Sequence, residues 1–177
     1  MDSIQIEAAI AHEAAHAAVA EHLGWKVIQV EMGGGLGFVG FNFNGTPYCE
    51  RDDLLITLAG RVGEKVSGVY DRQGVAFEWS EDDYDSALDT IEYGDEEDLA
   101  AVGDIGSAVS LLREMEQGLP ELREASDEVE ALLNGDLAAS WQGWKEFIAG
   151  LSDGTWKRNI YGHWMKTSED FTAHNDM

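Results

Sequence analysis

Ala11-His12-Glu13-Ala14-Ala15-His16-Ala17 lies in an alanine-rich run with no Gly or Pro between positions 3 and 23. Such a run predicts one helix over residues 3–23, with Asp2 or Ser3 to cap it and Gly24 to end it. Residues four apart stand one above the other on a helix, so His12 and His16 share a face. Glu13 is rotated about 100° from His12 and about 60° from His16, so all three can face one cavity. Ala9, Val19 and Leu23 fall on the histidine side. That side therefore turns to the core, and the cavity lies between this helix and whatever packs on it.

His-Glu-x-x-His on a helix supplies the working parts of a zinc hydrolase, two imidazole ligands and a carboxylate base. His12 and His16 are the expected Zn2+ ligands and Glu13 the expected catalytic base. A catalytic zinc needs a third protein ligand. His22 extends the spacing to His12-x3-His16-x5-His22, which matches the three-histidine metzincin pattern. That pattern needs a glycine three residues after the second histidine to turn the chain back, and here the position is Val19. In an unbroken helix His22 lies about 120° around and about 9 Å further along than His16, out of reach of the metal. Its expected place is solvent. Carboxylates are the other candidates. Glu81, Asp82, Asp83, Asp85 and Asp89 crowd a helix expected over residues 81–93. Most are expected to form a solvated face and an N-terminal cap. Spacing alone does not choose among them.

The remaining chain is long enough, at 177 residues and 44% hydrophobic, for one domain with its own core. Thirty-five acidic residues against 11 basic ones give a formal charge of −24. That balance argues against nucleic-acid binding through phosphate and against docking on anionic membranes. A solvated, salt-tolerant surface is the preferred reading, ahead of repulsion against self-association or mimicry of a polyanion. Cys49 is the only cysteine, which excludes an intrachain disulfide and a cysteine-rich zinc cluster. The opening Met1-Asp2-Ser3 has no basic n-region, and no apolar run is long enough to span a bilayer. A soluble, cytoplasmic protein is expected.

Residues 25–32, rich in β-branched and apolar side chains, predict a strand. Gly33-Gly34-Gly35 predicts a turn, and residues 36–44, with interspersed glycines, a second strand at an edge or bulge. Leu54, Leu55, Leu58, Val62 and Val66 give residues 50–67 a helical stripe. Residues 69–79 are expected to be loop. Further helices are expected over 99–117 and over 120–133, the latter opened by Pro120. Leu137, Trp141, Trp144, Ile148 and Leu151 recur as a buried helix stripe. Residues 152–177 hold Trp156, Ile160, Tyr161, Trp164 and Met165, then a polar tail expected to fray. The expected fold class is mainly α with a small β-hairpin or sheet.

Three blocks, in order, resemble the peptidase domain of the FtsH family, the membrane-anchored AAA zinc proteases. The first is His12-Glu13-Ala14-Ala15-His16-Ala17 followed by Val27-Ile28-Gln29-Val30 and Leu36-Gly37-Phe38. It is similar to the family's His-Glu-Ala-Gly-His helix and the strands after it. The second, Leu58-Ala59-Gly60-Arg61-Val62-Gly63-Glu64-Lys65, is similar to Leu-Gly-Gly-Arg-Ala-Ala-Glu-Glu. The third, Asp82-Asp83-Tyr84-Asp85-Ser86-Ala87, is similar to Asn-Asp-Leu-x-x-Ala. The family's third zinc ligand is the Asp of that block, which implies Asp83 here. Glu128-Val129-Glu130-Ala131-Leu132-Leu133 also looks like the end of the family's C-terminal helices.

The resemblance implies a zincin-like helical metallopeptidase domain. It divides one domain, 1–177, into an FtsH-peptidase-like core over 3–135 and a Trp-rich C-terminal extension over 136–177. Ala15 stands where the family has glycine, and the sequence holds neither an ATPase module nor a transmembrane segment. The expected activity is therefore ATP-independent, zinc-dependent hydrolysis of peptides or flexible protein segments, with no nucleic-acid or membrane partner. The glycine-rich strand over 36–41 could pair with an extended peptide, or its glycines could serve only as bulges. The charge points to a monomer or small homo-oligomer. Two other readings are a non-catalytic zinc- or peptide-binding module on the same scaffold and an acidic, nucleic-acid-mimicking inhibitor. The presence of Glu13, which a binding role does not require, favours the enzyme.

Overall fold

A computed structural model describes residues 3–79 and 120–167. The helices expected over 81–93 and 99–117, Asp83 with its acidic neighbours, and the tail from 168 onward lie outside the described residues. The rest is mainly helical with one four-stranded antiparallel sheet.

Helix α1, Ser3–His22, is the centre of the core. Ala11, Ala14, Ala15, Ala17, Ala18, Val19 and Ala20 are all buried, so it is apolar on most sides rather than amphipathic. Helix α2, Glu50–Ser67, packs on one flank of it. The approach is close: a β-carbon at Gly63 would stand 2.5 Å from the Ala15 β-carbon and 2.9 Å from the Ala11 carbonyl oxygen. Alanines on α1 and glycines on α2 are what let the two backbones meet. Gly68, at φ 74°, stops α2 in the left-handed conformation that glycine adopts without strain. The segment after it, expected to be loop, opens with one helical turn, α3, Val69–Arg72.

Strands β1, Lys26–Gly33, and β2, Leu36–Asn42, form the expected hairpin across the glycine turn. Val27 and Val30 are both fully buried, although strict alternation would point them to opposite faces. A register shift between Val27 and Gln29 resolves this, because the extra residue of a bulge re-aims the side chains beyond it.

Helix α4, Pro120–Asn134, lies against α2. Helix α5, Ala138–Ala149, lies against α1, burying Trp141, Trp144 and Ile148 as their spacing predicts. The Trp141 indole donates to the Ala11 carbonyl oxygen at 3.2 Å. Strands β3, Gly154–Arg158, and β4, Trp164–Lys166, then complete the sheet in the order β2-β1-β3-β4. The pairing Val30↔Trp156 ties the Trp-rich end to the first hairpin. Among the described residues, strands β2 and β4 are the two edges. Among the described residues, no helix is long and apolar enough to cross a membrane.

Candidate metal centre

Helices α1 and α2 run antiparallel where they touch, so the two histidines of α1 meet positions 56, 60 and 64, one face of α2, in reverse order. His16 faces Ile56 and His12 faces Glu64, with Gly60 between them on α2. His16 Nδ1 is 2.6 Å from the Ile56 carbonyl oxygen. A carbonyl oxygen only accepts, so that nitrogen carries the hydrogen. His12 Nδ1 is 2.6 Å from Glu64 Oε1. Burial works to raise the Glu64 carboxyl, but hydrogen bonds from His12 and Tyr70, with the charge of Arg61, outweigh it and hold the group below the usual carboxylate range. Glu64 is therefore an acceptor, and His12 Nδ1 donates to it.

The two Nε2 atoms lie 3.1 Å from each other. Burial, then the neighbouring His12, lowers the pKa of His16 to about 3, so its Nε2 carries a lone pair. A proton on His12 Nε2, or a cation in its place, satisfies the His16 lone pair across this gap. Two zinc–nitrogen bonds of about 2.0–2.1 Å at a tetrahedral angle place the nitrogens roughly 3.3 Å apart. The observed separation fits that value. An imidazole whose other nitrogen donates to a carboxylate or a backbone carbonyl is also the form in which histidine usually holds a metal. The donor type and the separation of His12 and His16 fit a divalent ion. Gly60 makes the space: a β-carbon there would stand 2.3 Å from His12 Nε2 and 2.4 Å from His16 Nε2.

Glu13 sits beside the pair, 6% exposed. Gly37 of β2 admits it, since a β-carbon at that position would be 2.4 Å from Glu13 Cγ. Burial raises the Glu13 pKa from 4.5 to about 7, with the Glu64 charge adding to the rise and His12 opposing it. Between pH 4.5 and about 7 the unfolded chain has released this proton while the folded one keeps it. Metal-free protein is therefore expected to lose stability as pH rises through that window, relative to Glu13→Gln. Melting curves of the two proteins in chelator check this; a difference that stays constant from pH 4 to 8 would refute it.

The three side chains open into a cleft of about 420 Å³ between α2 and β2, walled by Trp25, Phe38, Phe41, Ile56 and Trp79 among others. His22 is exposed at the end of an unbroken α1, and Val19 is buried within it, as the missing glycine predicts. Among the described residues, no group of three His, Cys, Asp or Glu could hold a metal ion. Asp83, the third ligand that the family resemblance implies, lies outside the described residues.

Two site residues escaped identification from sequence. Glu64 and Gly60 were visible only as parts of a similar block. The signal available was a charged residue on the buried side of α2, four positions beyond a glycine, with both on the face that carries Ile56. No family model, curated protein or solved structure matches this chain.

Proposed function

We propose that this protein is a zinc-dependent metallopeptidase that cuts peptides or flexible protein segments without ATP. The observation that carries the reading is the pair of Nε2 atoms 3.1 Å apart, each on a ring whose Nδ1 is already committed to an oxygen. The buried carboxyl of Glu13 beside them supports a catalytic rather than a purely structural ion. His12 and His16 would hold the zinc, with Asp83 as the third ligand that the family resemblance implies. When bound, the ion supplies Lewis acidity, which eases ionisation of water and polarises a peptide carbonyl.

Glu13 serves as the base that takes the proton from the attacking water and returns it to the leaving amine. Beside a bound cation, Glu13 would be favoured in its ionised, proton-accepting form against the effect of burial. Peptide is the substrate class that the surroundings favour. Among the described residues strand β2 is a sheet edge, and its residues Gly37, Phe38, Val39 and Phe41 line the cleft. An extended backbone can add to such an edge through main-chain hydrogen bonds, while apolar walls receive its side chains.

The ligand set gives a direct test. Asp83→Ala is expected to strip zinc from the purified protein, and Asp85→Ala to leave it. Metal analysis after dialysis reads the result, and equal zinc in the two variants would remove Asp83 as ligand. Cleavage of casein or a flexible peptide by wild type, suppressed by chelator, tests the activity itself.

A further inference from the structure

Glu64 is held from its other side by a network that the proposed chemistry does not use. Arg61 Nη1 donates to Glu64 Oε2 at 2.6 Å and to the Tyr70 hydroxyl oxygen at 2.6 Å. The Tyr70 hydroxyl donates to the same Glu64 Oε2. Arg61 Nη2 donates to the Glu78 carbonyl oxygen. The guanidinium carbon lies 4.7 Å from the centre of the Phe77 ring and 5.3 Å from that of Tyr70. Phe77 in turn meets Trp79, which walls the cleft. Two donors thus converge on Oε2 and leave Oε1 to His12.

We propose that Arg61 and Tyr70 are positioning residues for the metal centre: they fix the Glu64 carboxylate so that it locks the His12 ring with Nε2 turned to the ion. The inference rests on the zinc reading above. It extends the centre from α1 and α2 to α3 and the 77–79 segment, through side chains that never touch the ion. A guanidinium can do this where an ammonium cannot. Its planar fork donates to Glu64, Tyr70 and the Glu78 carbonyl at once while its faces stack on rings.

The test measures zinc dissociation constants on the full chain by competition with a chromogenic chelator, together with the visible spectrum of the Co2+-loaded protein. Tyr70→Phe and Arg61→Lys are each expected to weaken zinc binding, by about 10- to 100-fold at most, the range typical for partners behind a metal ligand. Both should alter the Co2+ bands. Arg51→Ala removes the same charge from an exposed pair with Glu128 and is expected to change neither reading. On a Glu64→Gln background, Tyr70→Phe should cost nothing further, because its only route to the metal is already cut.

Unchanged affinity in Tyr70→Phe would overturn the assignment. So would an equal loss with and without Glu64, which is what general loosening produces. Tyr70→Phe keeps the aromatic packing, so it remains informative if Arg61→Lys fails to fold. A wild type that takes up no zinc refutes the metal reading instead. In that case the ¹⁵N shifts of the His12 ring decide on the network. A single Nδ1–H tautomer in wild type that becomes averaged in Tyr70→Phe supports it, and an unchanged ring refutes it.

Discussion

Gly60→Ala is expected to abolish zinc binding while leaving a folded protein with a lower melting temperature. The added methyl would stand 2.3 Å from His12 Nε2, 2.4 Å from His16 Nε2 and 2.5 Å from His12 Cδ2, well inside contact distance. Two movements could relieve it. The rings could swing away, which breaks the bonds of His12 to Glu64 and of His16 to the Ile56 carbonyl. Otherwise α1 and α2 could separate, which opens the tight packing of Gly63 against Ala15. Either movement destroys the convergence of the two nitrogens. Overpacking of this kind costs about 1–3 kcal/mol, enough to shift a melt but not to unfold a domain of ordinary stability. Gly143→Ala on α5 is the control, since a β-carbon there meets nothing within 4 Å and helix propensity favours alanine. Metal analysis and thermal melts of the two variants read the outcome. A Gly60→Ala protein with full zinc content and wild-type affinity would show that the two rings do not form the site.

Glu13→Gln is expected to lose hydrolysis by about 10²- to 10⁴-fold while keeping zinc. Glutamine preserves the shape that fills the gap beside Gly37 but cannot take up a proton. The same change removes a carboxyl that burial holds near pKa 7, so above that pH the metal-free variant should be more stable than wild type. A loss of activity together with a gain in stability marks a residue kept for chemistry rather than for the fold. Turnover retained in Glu13→Gln would remove Glu13 as the base.

The sequence is most legible where the interactions are local. Helix α1, the β1–β2 hairpin and α2 lie within a few residues of their expected bounds, because a Gly- and Pro-free alanine run, a triple-glycine turn and a leucine stripe each act over a single element. The stripe from Leu137 to Leu151 likewise marks α5. The strands β3 and β4 gave no such signal. Each is short, and the loop between them is held by the Asn159 side chain, which accepts from the backbone of Tyr161 and His163, rather than by a two-residue glycine turn. What makes β3 a strand is β1, to which it pairs from far along the chain. The bulge that turns both Val27 and Val30 inward was equally hidden, since β1 reads as a continuous apolar run whichever face each residue takes.

The candidate site divides along the same line. The helical repeat alone puts His12, His16 and Glu13 toward one cavity, and Val19 alone keeps His22 out of it. These follow from geometry within one turn or two, whatever the helix packs on. The state of the two imidazoles is a different matter. It depends on the Ile56 carbonyl, 40 residues from His16, and on the Glu64 carboxylate, 52 residues from His12. Only the packing of α2 on α1 brings those oxygens to the Nδ1 atoms, and only a glycine at position 60 lets the helices pack so closely. The sequence by itself determined which groups could act as ligands and base. The tertiary structure decided that Nδ1 of each ring carries a hydrogen, because that proton's place is set by the partner across the helix interface and not by the residue's own neighbours in the chain.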